Sequence, residues 1–166
     1  MEKAPTASEG VAPAANGRPL TNPETFSDDE TRRLAVLRSY AWAGAADTSS
    51  AEGFDALTKL ATRLFAVPIA LISFVDAEFA WFKSSVGLGE ISRIVRAESY
   101  FCDATLKSRE LCFVPDASRD PRFAKSPFVQ GQNPVRFFAG VPLAVPEGAR
   151  VGTFCVADTK LREFSE

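Results

Sequence analysis

The sequence predicts a single α+β domain: a central antiparallel β-sheet with N-terminal helices on one face and loops and short helices on the other. Three observations carry this. Helix-period stripes fall within residues 27–65; two pairs of β-compatible runs, 69–75 with 79–86 and 135–145 with 150–157, are each joined by a short turn; and the stretch between the pairs is broken by proline-initiated turns.

Composition bounds the function. A chain of 166 residues with 46% hydrophobic and 24% charged residues is sized for one self-sufficient core. The formal net charge of -2 shows no basic footprint, so nucleic acid and membrane are not expected partners. No apolar run reaches the roughly 20 residues that span a bilayer, and the N-terminus has no secretory signal, so a cytoplasmic location is expected. Cys102, Cys112 and Cys155 form an odd set without C-x-x-C spacing, which predicts free thiols. The sequence has no histidine, which removes Ser-His and Cys-His nucleophile pairs, zincin motifs and proximal-His haem ligation. No metal and no cofactor is expected.

The elements follow in order. Residues 1–26, rich in Ala, Pro, Gly, Thr and Asn, have no apolar period and predict a disordered tail. Ser27 and Glu30 form a capping box, after which Leu34, Leu37 and Ala41 share a helical face. Ala43–Ala46 interrupts that helix. A second capping box, Ser49 to Glu52, opens a helix whose stripe is Phe54, Leu57, Ala61, Leu64 and Phe65, and Pro68 ends it. Ile69–Val75 and Phe79–Val86 form a hairpin about Asp76-Ala77-Glu78. Gly87–Glu98 is expected to be a loop, Phe101–Lys107 a short helix and Leu111–Val114 a short strand. Asp120-Pro121 and Ser126-Pro127 each place a capping oxygen before a proline, predicting two single-turn helices, the second closed by Gly131. Val135–Val145 and Arg150–Ala157 form the last hairpin, across Pro146-Glu147-Gly148. Leu161–Glu166 begins a helix that is not completed, so the domain is read as 27–166 without a full C-terminal helix.

In the last hairpin Val135, Phe137, Ala139, Val141, Leu143 and Val145 alternate onto one face, read as core. Arg136, Phe138, Gly140, Pro142 and Ala144 share the other, where Gly and Pro leave room and an arginine beside an aromatic ring suits an anionic or planar ligand. Arg136 has a structural alternative, pairing with Asp116 or Asp120. In the segment around them, Asp116 and Arg122 are candidate ligand contacts, whereas the proline after Asp120 favours a capping role for that carboxylate. Trp81, ahead of Phe82 and Lys83, is the candidate stacking residue of its strand. Cys102 and Cys112, ten positions apart, stand as buried thiols or a dithiol that closes on oxidation.

Six segments in order carry a resemblance. V-P-I-A-L-I-S-F-V-D at Val67–Asp76 and W-F-K-S at Trp81–Ser84 come first, then V-P-D-A-x-x-D-P-R-F-A at Val114–Ala124 with S-P-x-V at Ser126–Val129. R-F-F-A-G-V-P-L at Arg136–Leu143 and V-G-T-F-C-V-A-D at Val151–Asp158 complete the set. Together they resemble a GAF domain, closest to the sensory GAF domains that precede bacterial histidine kinases and diguanylate cyclases. Phe79 and Ala80 stand where that pattern has Arg and Gln, and Phe101-Cys102-Asp103-Ala104 replaces F-C-x-H, so the implied pocket has lost polar groups. The resemblance places Cys102 in that pocket and implies a non-catalytic sensory or regulatory domain that binds an unknown small molecule or a protein partner and acts on an output domain. Cys102 and Cys112 also resemble part of the thiol arrangement of free methionine-(R)-sulfoxide reductases, enzymes of the same fold, but no cysteine lies between Cys112 and Cys155 where the catalytic thiol would stand. A third reading is a ligand-free dimerisation module, a homodimer through the stripe Leu34, Leu37 and Ala41.

Overall fold

The computed structural model describes residues 27–40 and 51–163. Ser27 caps α1 (Asp28–Ser39), its hydroxyl accepting from the Glu30 amide at 3.3 Å, and Leu34 and Leu37 are buried. The readings of residues 1–26, Ala41, the interruption at Ala43–Ala46 and the Ser49 cap lie outside the described residues.

A six-stranded sheet follows, formed by β1 (Ile69–Val75), β2 (Phe79–Val86), β3 (Arg93–Val95), β4 (Cys112–Val114), β5 (Phe137–Ala144) and β6 (Arg150–Asp158). Its order is β3-β2-β1-β6-β5-β4, and every adjacent pair is antiparallel. α1 and α2 (Ala51–Leu64) pack on one face, and α3 (Tyr100–Lys107) and α4 (Pro127–Gln130) on the other. Cover on both faces explains the unbroken apolar run of β1. Ile69, Leu71 and Val75 enter the α3-side core while Ala70, Ile72 and Phe74 enter the α1/α2 side, so all seven residues of the strand are buried.

Several expectations change in three dimensions. The stretch 87–98 is not all loop: Arg93–Val95 adds an edge strand to β2, and Arg96–Glu98 makes a single 3-10 turn. Three residues are too few to show a period, and the arginine side chain of β3 lies over the rings of Phe79 and Trp81, at 4.5 and 4.8 Å. Asp120-Pro121 forms hydrogen-bonded turns rather than a helix, because the Asp120 carboxylate accepts from the Arg122 amide at 2.9 Å and the segment runs straight on to the Ser126 cap. The second single-turn helix forms as expected, with Ser126 capping α4 and the Gly131 amide closing on the Pro127 carbonyl.

The stripe expected on α2 also divides. Phe54, Thr58 and Ala61 face the sheet, while Leu57, Leu64 and Phe65 are 50%, 70% and 44% exposed. The cause is a polar latch: the fully buried Thr58 hydroxyl pairs with Ser84 Oγ of β2 at 2.8 Å, and that hydroxyl donates to Asp55 at 2.6 Å. These bonds set the rotation of α2 about its axis, turning Leu57, Leu64 and also Leu60, 58% exposed, off the sheet. On β5, Phe137, Ala139 and Leu143 do share the α1/α2 side, but Val141 is 38% exposed, and Val135, outside the strand, packs with the α3-side core. The first half of β5, Phe137 to Gly140, is buried on both faces, while Val141 to Ala144 is half-buried or exposed.

Candidate functional site

A small cavity lies between the sheet, α3 and α4. β1 contributes Ile69 and Leu71, β2 Phe82, the turn before α3 Glu98 and Ser99, α4 Phe128 and β5 Phe138. The free space there is about 40 Å³, room for a water molecule or two against the several hundred Å³ of a small-molecule site.

Aromatic rings fill the remainder. Phe101 of α3 stacks on Phe123 with centroids 4.6 Å apart and planes 4° from parallel, and Phe138 packs against both, 4.6 Å from Phe101 and 6.4 Å from Phe123. Phe123 is fully buried and Phe138 is 2% exposed. Offset stacking of this kind adds to plain area burial. The sequence carries one signal for it: Phe123 and Phe128 are large apolar residues in a segment otherwise written in turn residues.

The residues singled out from the sequence separate in space. Phe138 and Cys102 line the cavity. Trp81 does not line it: its indole N–H donates to Asp76 Oδ2 at 2.6 Å, under Arg93, whereas its neighbour Phe82 points inward. Asp116 accepts from the Ser118 amide and hydroxyl, and with Arg119 this holds its carboxyl below the usual range, the Ser118 hydroxyl contributing most. Asp120 and Arg122 form an ion pair at 2.6 Å, and the arginine stacks on Phe123 at 4.8 Å. Asp120 caps no helix; it accepts from the Arg122 amide within a turn and pairs with the Arg122 guanidinium. Arg136 pairs with neither Asp116 nor Asp120 within ion-pair distance; it donates to the carbonyls of Val129 and Val135, tying α4 to β5.

Beneath α3 lies a buried hydroxyl and thiol network. Ser73 Oγ and Thr153 Oγ1 are 2.8 Å apart, Cys155 Sγ donates to Thr153 at 3.2 Å, and Ser73 reaches Cys102 Sγ at 3.5 Å. Cys112, Gly140 and Cys155 stand in one row across β4, β5 and β6. All three cysteines are free and buried, and burial pushes each thiol up from its ordinary value. The Gly140 position is needed here, since a β-carbon on it would lie 2.9 Å from Cys155 Sγ and 2.8 Å from the Phe138 ring.

An ionic hub, not anticipated from sequence, joins the pocket wall to α1. Arg96 donates to Glu30 of α1, to Asp103 of α3 at 3.2 Å and to the Asp76 carbonyl at 3.0 Å, while Arg33 holds the other side of Glu30. Burial raises the Glu30 pKa, but the two guanidinium groups outweigh it and leave the carboxyl at about 2.

This geometry matches a known family over most of its length. The GAF domain family model matches residues 47–166. The chain belongs to the GAF family. GAF domains are regulatory and sensory modules, and this one is 38% identical over 137 residues to a cyclic di-GMP phosphodiesterase of Pseudomonas aeruginosa. The match takes in 82% of this chain and 22% of that relative, so the chain spans about a fifth of the curated relative's length. Among solved structures, the GAF domain superposes on one from an Acinetobacter phosphoenolpyruvate-protein phosphotransferase with a TM-score of 0.55 at 17% identity, over 85% of this chain and 84% of that one. It also superposes on the free methionine-R-sulfoxide reductase of Neisseria meningitidis, solved with its substrate, with a TM-score of 0.55 at 16% identity, over 85% and 81%. At these identities the likeness is one of fold. Among the described residues no helix is long and apolar enough to cross a membrane.

Proposed function

We propose that this GAF domain is a non-catalytic regulatory module of cyclic di-GMP signalling that acts through protein contacts, with its interior closed by aromatic packing. The observation that carries the reading is the cavity between the sheet, α3 and α4, only about 40 Å³ and walled by Phe101, Phe128 and Phe138. A nucleotide or metabolite entering there would have to displace a buried phenyl ring, at a cost comparable to losing its packing, about 3–5 kcal/mol. The cyclic di-GMP context rests on the relative with 38% identity. Regulation, rather than hydrolysis, is the part proposed for this chain, because the match takes in only 22% of that enzyme.

The thiol-redox alternative draws support from the fold shared with the sulfoxide reductase. Against it stand three buried thiols whose proton affinity is raised, where redox cysteines are exposed and acidic.

Two measurements test the proposal. Calorimetry with cyclic mononucleotides, cyclic di-GMP and methionine sulfoxide should show no heat of binding; micromolar binding of any of them that is lost in Phe138→Trp sinks the closed-interior reading. Deleting the coding region for residues 27–163 in the native host should change cellular cyclic di-GMP, and an unchanged level removes the signalling assignment.

A further inference from the structure

A polar cleft of about 630 Å³ opens where four segments converge: α1, the 3-10 turn at Arg96, the C-terminal end of α3 and the turn from β5 into β6. Five cations line it, Arg32 and Arg33 of α1, Arg96, Lys107 of α3 and Arg150 of β6. The carboxylates of the same lining are Asp29, Glu30 and Glu147. Glu30 is taken up by Arg33 and Arg96, and Glu147 accepts from the Tyr40 hydroxyl at 3.0 Å. Asp103, outside the lining, pairs with Arg96 and Lys107, while Asp29 is exposed. Val36, Leu106 and Ala149 give the cleft an apolar side.

Three of the guanidinium groups keep donors that the fold does not use. Arg33 is 8% exposed; its Nε and Nη2 hold Glu30 in a fork, at 2.7 and 2.8 Å, and its Nη1 is buried without a hydrogen-bond partner. Native proteins leave few buried donors unpaired, so an orphan guanidinium nitrogen on the wall of a cleft calls for an acceptor. Arg150 is fixed through Nη1 alone, which donates to the carbonyls of Ser108 at 2.6 Å and Lys107 at 3.3 Å, and it has no carboxylate partner among the described residues. Its anchor is the end of α3, so the side chain is held in place with its other nitrogens unused. Arg32 is exposed and has no ion-pair partner among the described residues. Guanidinium groups are matched to oxyanions. Three such groups around one cleft suit the three terminal oxygens of a phosphate monoester better than the two of a phosphodiester or a carboxylate.

We propose that this cleft binds a phosphate group, free or carried as a monoester on a small body that rests against Val36, Leu106 and Ala149, with Arg32, Arg33 and Arg150 as its donors. The site goes beyond the regulatory reading and is separate from the aromatic cavity, with which it shares no lining residue.

The probes are phenyl phosphate, its diester methyl phenyl phosphate and inorganic phosphate. Each is titrated into isotope-labelled protein at constant ionic strength and about pH 7.5, where the monoester is dianionic. Phenyl phosphate should give saturable shifts of the α1 amides, of the amides of residues 147–150 and of the Arg33 and Arg150 Nε–H signals. The diester should bind at least about tenfold more weakly, a difference of about 1.4 kcal/mol. Arg32→Gln, at an exposed position, and Arg150→Gln should leave amides remote from the cleft unshifted and each weaken phenyl phosphate at least about tenfold. Inorganic phosphate binding as tightly as phenyl phosphate assigns the site to the free ion, and weaker binding assigns it to a monoester with an apolar body. The proposal is overturned by equal affinity for monoester and diester, by shifts that sodium chloride reproduces at the same ionic strength, by shifts that map to another face, or by affinity unchanged in both variants. The closed-interior reading fails only on binding that Phe138→Trp abolishes, so failure of one is told apart from failure of the other.

Discussion

Phe138→Ala tests whether the cavity between the sheet, α3 and α4 is occupied by the protein's own side chains. The ring is 2% exposed, lies 4.6 Å from Phe101 and 6.4 Å from Phe123, and borders the existing space of about 40 Å³. Its removal loses the transfer energy of a buried phenyl group and leaves a cavity the sheet has little freedom to close, because Gly140 and Cys155 beside it are held in paired strands. Phe-to-Ala replacements of this kind cost about 3–5 kcal/mol. For a domain of this size that lowers the melting temperature by about 6–20 °C, at about 2–4 °C per kcal/mol. The enlarged space, one phenyl ring added to the present gap, approaches the apolar cavities of about 150 Å³ that stay dry and take up benzene. Urea unfolding with and without benzene reads both effects. Benzene at about ten times its Kd should return about 1.4 kcal/mol to the variant and nothing to the parent protein. A cost below about 1.5 kcal/mol, or equal stabilisation of both proteins by benzene, would refute the view that Phe138 plugs the site.

Three further outcomes follow from the same structure. The native protein should leave Cys102, Cys112 and Cys155 unlabelled by a thiol reagent at pH 8 over minutes, and all three should react in denaturant; fast native labelling of any of them would revive the redox reading. Gly152→Ala should destabilise more than Gly140→Ala, because its β-carbon would overlap the Ser73 carbonyl oxygen, a backbone atom, whereas at Gly140 the contacts at 2.8–3.0 Å are side-chain atoms that shift for about 1–3 kcal/mol; parallel urea curves check the order. Glu30 is bound by Arg33 and Arg96 and its pKa is depressed from 4.5 to about 2, so its contribution is complete above about pH 4.5 and is lost as pH falls toward 2. Glu30→Gln should therefore flatten the acid limb of the stability profile while costing about 1–2 kcal/mol at pH 7, and unchanged acid sensitivity would show that the hub carries no stability.

Much of the fold was legible because local chemistry and tertiary need coincide. Ser27 capping α1, Ser126 capping α4, the β1–β2 hairpin about Asp76 and the β5–β6 pair are settled by residue types within a few positions of one another. β3 was not legible, since three residues carry no period and the strand exists only because β2 presents an open edge. At the site, Phe138 and Cys102 line the small cavity, while Trp81 lies beside Asp76 and Arg93 instead.

The sequence by itself determined the class, the order of elements and the family, and it removed histidine chemistry outright. Those properties depend on periodicity, capping and composition, which are local or cumulative along the chain. Only the tertiary structure decided that three phenylalanines from α3, the turn segment and β5 meet in one cluster, two of them walling the cavity. It alone showed that Arg96 joins α3 to α1 through Glu30, and that a latch of Asp55, Thr58 and Ser84 turns three leucines of α2 outward. These depend on contacts between residues up to 66 positions apart, where the rotation of a helix or the approach of two side chains is set by packing and not by neighbours in sequence.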